Sequence, residues 1–189
     1  MEQPFIQNEL KRLNEVYDDI YIVPQRKGDE LYEIPSDIKV ELSLIPRLNK
    51  IDFSTKIKTI LSIKFIREVI NVRCNIKKVK RATGVRLSAL VTKNWIDDFK
   101  SNHQGEKILF YSFWMDSSTL GASYAKTSNP GLKVVTRCHN FDLFGNVEND
   151  FYIPFQKEIA NNIDGVYPVS GAGEQFILEK YPNAKCQTK

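Results

Sequence analysis

Three observations predict an α/β fold in which a parallel sheet is flanked by helices. Short apolar runs recur in the second half of this 189-residue chain, at 107–113, 132–137 and 165–169. Between them lie segments of roughly ten to twelve residues whose apolar positions follow helical spacing. Breakers and caps, such as Asn129-Pro130-Gly131 and Ser170, stand where the rhythm changes. Strand and helix alternating in this way imply βαβ units, whose strands lie parallel. Apolar residues at 42% and charged residues at 26% are close to globular averages, which excludes disordered and collagen-like chains. The length suits about one domain.

In order along the chain, Pro4 suits the first turn of a helix, and Phe5, Ile6, Leu10, Leu13 and Val16 recur at helical spacing after it, which predicts a helix over 4–16. Residues 19–24 form an apolar run closed by Pro24, as a buried strand would be, and 39–45 repeats the pattern less cleanly. Over 55–72 the sequence supports two helical stripes. Ile57, Leu61, Phe65, Val69 and Val72 form one, and Ile60, Ile63, Ile66 and Ile70 the other, so this helix calls for partners on more than one side. A further helix is expected over 84–103, with Leu87, Leu90, Val91, Trp95, Ile96 and Phe99 as its buried stripe. The regular alternation follows: strand 107–113, a helix capped by Asp116 to about Lys126, strand 132–137, a helix over 152–162, strand 165–169, and a helix capped by Ser170 to about Tyr181.

Charge is unevenly distributed. The chain carries 27 Lys and Arg against 23 Asp and Glu, yet from Arg47 to Lys93 there are 13 basic residues and only two acidic ones, Asp52 and Glu68, for a local +11 against −7 in the remainder. That block, together with the doubly striped helix, predicts a basic amphipathic face suited to an anionic membrane; the alternative is that both stripes are buried and the lysines form a solvated face. No DNA or RNA motif accompanies the lysines and arginines, so nucleic acid is not expected as a partner. Cys74, Cys138 and Cys186 are odd in number and lack nearby metal-ligand spacing, which points to a reduced, cytosolic setting. Neither a spanning segment nor a leader peptide is read at the N-terminus.

Ligands of open parallel sheets bind beyond the carboxyl ends of the strands. There the sequence delivers Tyr111, Ser112, Phe113 and Trp114 after the first regular strand, Arg137, His139, Asn140 and Asp142 after the second, and Ser170, Gly171, Ala172 and Gly173 after the third. His139 reads either as a proton-transfer group near neutral pH or as a histidine hydrogen-bonded within its turn. Arg137 and Asp142 read as ligand-holding charges or as an internal ion pair. The Ser170 turn either receives an anion at a helix N-terminus or is a plain cap; no Lys-Ser or Lys-Thr follows, so it is not a P-loop. Tyr111 and Trp114 either stack on a sugar or base or serve packing, and Cys138 is a small apolar strand residue.

Taken together, Tyr111-Ser112-Phe113-Trp114, Thr136-Arg137-Cys138-His139-Asn140-Phe141-Asp142-Leu143-Phe144, Pro168-Val169-Ser170-Gly171-Ala172-Gly173 and Leu178-Glu179-Lys180-Tyr181-Pro182 resemble the N-terminal half of family-four (group 1) glycosyltransferases. The opening Gln3-Pro4-Phe5-Ile6-Gln7-Asn8-Glu9-Leu10 is similar to the branch associated with exopolysaccharide and colanic-acid-type assembly. Residues 30–105 contribute little to the likeness. The resemblance implies residues 1–189 as a single Rossmann-like acceptor-side domain of a GT-B enzyme, lacking the family's first strand and its second, donor-binding domain, with a basic helical segment at about 47–103. It implies retaining transfer of a sugar from a nucleotide-sugar to a saccharide or lipid-linked acceptor in bacterial surface polysaccharide synthesis, with no cofactor or metal. The implied location is cytoplasmic, at the inner face of the plasma membrane. His139 would face the donor sugar as the catalytic residue, and Ser112, Trp114, Arg137, Asp142, Ser170, Gly171 and Gly173 would bind substrate. The isolated chain is expected to be inactive. A second reading of the same residues is a non-catalytic nucleotide- or carbohydrate-binding module.

Overall fold

The computed structural model describes residues 4–28, 34–145 and 152–185. The third cysteine of the sequence, Cys186, lies outside them. The protein is a mixed α/β chain with short parallel sheets flanked by helices, divided into two compact units, Met1–Lys50 and Ile51–Lys189. Among the described residues no helix is long and apolar enough to cross a membrane.

The first unit holds α1 (Pro4–Asn14), β1 (Tyr21–Ile22), β2 (Lys39–Val40) and α2 (Leu44–Asn49). Strands β1 and β2 pair in parallel with Tyr21 opposite Lys39. Among the described residues they form a two-stranded sheet of their own. The strand expected over 39–45 stops at Val40. Glu41 turns its carboxylate back onto the Ser43 amide, 2.8 Å away, and Pro46, which lacks an N–H, sits comfortably in the first turn of α2.

The second unit begins with three helices, α3 (Phe53–Ile60), α4 (Ile63–Asn71) and α5 (Ile76–Asn102). The single helix expected over 55–72 is therefore two. Asp52 caps α3 by accepting the Thr55 amide at 2.8 Å, and Thr59 returns its hydroxyl to the Thr55 carbonyl at 3.0 Å, a back-bond that competes with helix continuation. Ser62 then takes an extended backbone and starts α4 afresh. Helix α5 begins eight residues before the expected Gly84, because Asn75 caps it by accepting the Lys78 amide at 3.2 Å.

Strands β3 (Leu109–Ser112), β4 (Lys133–Cys138) and β5 (Gly165–Pro168) form a three-stranded parallel sheet in the order β3-β4-β5. Ser112 lies opposite Thr136 and Cys138 opposite Pro168, so all three strands release their chains at one rim. Helix α6 (Ser117–Ser128) connects β3 to β4, with Asp116 as its cap. Between β4 and β5 come α7 (Asn140–Leu143), which the sequence did not announce, and α8 (Gln156–Asn162). The latter starts four residues later than expected, after Pro154 and a left-handed Phe155. Helix α9 (Gly171–Lys180) follows β5 and is capped by Ser170.

The core of this unit lies where α5 packs on α6, with Ala82, Ala89, Trp95 and Ile96 of the former buried along with Leu120, Ala122 and Ala125 of the latter. Contact is close at Gly121, where an added Cβ would lie 2.5 Å from the Ala89 carbonyl oxygen. Arg86 is also buried here; its guanidinium donates to the Tyr124 hydroxyl, which in turn donates to Glu158 at 3.3 Å. The stripes of α3 and α4 behave otherwise. Phe65 is buried, but Phe53 is 76% exposed, Leu61 72%, Ile63 67% and Ile70 64%, with Ile57, Ile60 and Ile66 also exposed. Burial of both stripes is thus overturned: the face is apolar and open, interleaved with Lys56, Lys58, Lys64 and Arg67.

Candidate functional site

At the carboxyl rim of the sheet, the chain after β3 and the chain after β4 meet through aromatic rings. The rings of Trp114 and His139 lie 4.3 Å apart by centroid, Phe113 and His139 5.0 Å, and Trp114 and Phe141 4.7 Å. Phe141 lies nearly parallel to His139, its ring centre 6.4 Å away, and is 54% exposed. The guanidinium of Arg137 lies 5.7 Å from the centre of the Phe113 ring. The result is a half-exposed platform of three aromatic rings and an imidazole, with a cation at one edge. Such a surface offers π-faces to the apolar faces of a sugar or to a base, and polar edges to hydroxyls or phosphates.

Two expected ligand-binding groups turn out to shape this platform from below. Asp142 is only 6% exposed; its carboxylate accepts the main-chain N–H of Met115 at 2.8 Å and that of His139. One carboxylate thereby holds the two loops that carry Trp114 and His139. Burial pushes the Asp142 carboxyl above the usual carboxylate range, against the two amide donors, which favour its charged form. Ser112 is buried as well and donates to the Trp114 carbonyl at 2.7 Å, a bond that Thr119 duplicates at 2.8 Å. Both are positioning residues for Trp114.

The third arm of the rim divides in the same way. Ser170 accepts the Gly173 amide at 3.2 Å and caps α9. Gly171, exposed at the first position of the helix, leaves its flank open, since an added Cβ there meets nothing within 4 Å. Gly173 is different: a Cβ would lie 2.9 Å from Leu143 and 3.0 Å from Pro168, so its smallness serves the packing of α9 on α7 and β5. The Val169 amide donates to the Cys138 carbonyl at 3.1 Å and fixes this turn beside β4.

The structure thus brings Trp114, Arg137 and His139 together at one surface, sets Ser112 and Asp142 beneath it, and packs Gly173 against Leu143 and Pro168. Phe113, placed at the rim by the sequence without a role, and Phe141, which was not singled out as a site residue, complete the platform. The available signal was their position, one residue past β3 and two past His139, which the rule for strand ends covers. Cys138 is fully buried in β4 and serves packing. No family model, curated protein or solved structure matches this chain.

Proposed function

We propose that this chain is the acceptor-side, Rossmann-like domain of a retaining, metal-independent glycosyltransferase of the group 1 type, moving sugar from a nucleotide-sugar to a saccharide or lipid-linked acceptor in surface polysaccharide synthesis. The observation that carries the reading is the Trp114–His139–Phe141 platform at the carboxyl rim of a parallel sheet, edged by Arg137. Its support is chemical: aromatic faces suit pyranose rings, and imidazole can hold or pass a proton at a sugar hydroxyl. In such a transfer charge develops on the leaving diphosphate and on an oxocarbenium-like sugar, so a site works through oriented donors and dipoles more than through a strong nucleophile. His139 is the proposed catalytic residue. The second proposed partner is an anionic membrane, met by the exposed apolar residues and lysines of α3 and α4, which would bring a lipid-linked acceptor within reach.

Titration of the full chain with UDP-sugars and with oligosaccharides, followed by backbone amide shifts, tests the site. Saccharide should move the amides of 113–114 and 139–141, and Trp114→Ala should weaken that binding about tenfold. Silence of the rim toward both ligand classes would end the reading. Rim binding that responds to saccharide and nucleotide alone, with no dependence on a nucleotide-sugar, would favour the binding module instead.

A further inference from the structure

A second opening in the larger unit shares none of the rim residues. It is a pocket of about 730 Å³ walled by α4, α8, the turn after α7 and the end of α9. That volume falls within the roughly 300–1,000 Å³ of small-molecule sites.

One wall is held in an unfavourable backbone. Phe155 sits at φ 59, the left-handed region, where a bulky aromatic residue is a true outlier costing on the order of 1–3 kcal/mol. Glu68 holds it there, accepting the Phe155 amide at 3.1 Å and also the Tyr152 hydroxyl. Burial, and then the neighbouring Glu68, push the Tyr152 hydroxyl well above its ordinary value, so it stays a proton donor to that carboxylate. Glu68 is thereby turned onto its own wall by two neutral donors and keeps its negative charge.

The remaining charges do not balance. Glu158 is paired with Lys64. Arg67 and Lys157 also line the pocket, and neither forms an ion pair among the described residues. Lys180 lies 3.3 Å from a neutral oxygen, Gln156 Oε1, and over the rings of Phe176 at 4.6 Å and Tyr181 at 5.4 Å. Partial burial lowers the Lys180 pKa, as expected for an ammonium removed from water without a counter-charge. Four cations against the two carboxylates Glu68 and Glu158 leave the half-open pocket with an excess of positive charge, and an arginine able to fork onto two oxygens suits an oxyanion there. The aromatic walls, Phe144 and Tyr181 among them, leave room for a carbon skeleton attached to it.

We propose that this pocket binds a phosphate ester, with Arg67, Lys157 and Lys180 holding the phosphate and the aromatic walls receiving the organic part. The ester has two sources, a soluble sugar phosphate or a phospholipid headgroup, since α4 carries both Arg67 and the exposed Ile63, Ile66 and Ile70.

The test uses the full chain with glucose 1-phosphate and, separately, with phosphatidic acid vesicles. Glucose 1-phosphate should shift the amides of 67–68, 157–158 and 180–181. Lys157→Gln and Lys180→Gln, both away from α4, should each weaken it about tenfold, with an unchanged melting temperature. Where the two substitutions together also release the protein from vesicles, the ligand is a lipid headgroup; where vesicle binding is untouched, it is a soluble ester. Absence of shifts with glucose 1-phosphate and of any effect of the double variant on vesicle binding would overturn the proposal, as would glucose 1-phosphate binding that the double variant retains in full.

Discussion

Gly121 and Gly84 are both interior helical glycines, and the same substitution should move stability in opposite directions at the two positions. Glycine in a helix interior is about 0.8–1.0 kcal/mol less favourable than alanine. At Gly84, exposed on α5, an added Cβ meets nothing within 4 Å, so Gly84→Ala should gain about that amount. At Gly121 the same methyl would lie 2.5 Å from the Ala89 carbonyl oxygen, 2.8 Å from Thr92 Cβ and 3.2 Å from the Lys93 amide nitrogen. Two of these three are main-chain atoms of α5 and cannot rotate away, so the helices must separate. Overpacking of that kind costs about 1–3 kcal/mol and exceeds the propensity gain. The propensity gain is common to both variants, so the expected gap is the overpacking cost, about 1–3 kcal/mol, and each kcal/mol moves the midpoint of a unit of this size by about 2–4 °C. Urea and thermal unfolding of the two variants beside the parent measure it. Equal stabilisation by Gly121→Ala and Gly84→Ala would refute the close α5–α6 contact.

The other expectations concern the platform and the open helical face. Asp142→Asn keeps the shape but turns an NH2 group toward one of two main-chain N–H donors, so it should destabilise by about 1–3 kcal/mol and weaken saccharide binding through the loosened Trp114 and His139 loops; full retention of both in urea titrations and ligand binding would count against its positioning role. The folded Asp142 pKa lies above its ordinary 3.8, so between those values the folded state binds more protons than the unfolded one. The stability advantage of the parent over Asp142→Asn should therefore be largest below pH ~4 and shrink as pH rises through the folded value, and a constant or growing difference in unfolding free energy across that window would contradict the assignment. For the open face, co-sedimentation with anionic vesicles should fade with salt and fall on charge reversal at Lys56, Lys64 and Arg67 or on Ile63→Asp, each well-placed cation contributing about 1 kcal/mol; no sedimentation at low salt would remove the membrane as a partner.

Much of the regular half of the fold was legible because parallel strands are continuous apolar runs and their helices have plain caps. Asp116 and Ser170 stand in the sequence where they act in the structure, accepting the amides of Ser118 and Gly173. The two-helix break at Leu61-Ser62 was not legible, since Ile57, Leu61 and Phe65 continue the helical period straight across it. Spacing reports which residues could share a face and carries no information on whether the face is covered. That is why the same isoleucines could equally imply two buried contacts or an open surface.

At the rim, position was readable and role was not. The rule for strand ends singles out Ser112, Trp114, Arg137, His139 and Asp142 together, because it concerns where the chain emerges from a sheet. Whether a polar group there meets a ligand depends on main-chain partners far away in sequence. Asp142 faces the amide of Met115, 27 residues before it, and a main-chain donor leaves no trace in residue identity. The left-handed Phe155 is a sharper case, since sequence preference for that conformation points to glycine or asparagine. Its nearest signal was Glu68, one of only two acidic residues in the basic block. Set among so many cations, that acid accepts from a tyrosine hydroxyl and a main-chain amide, and so fixes a wall through partners that charge patterning in the sequence does not reveal.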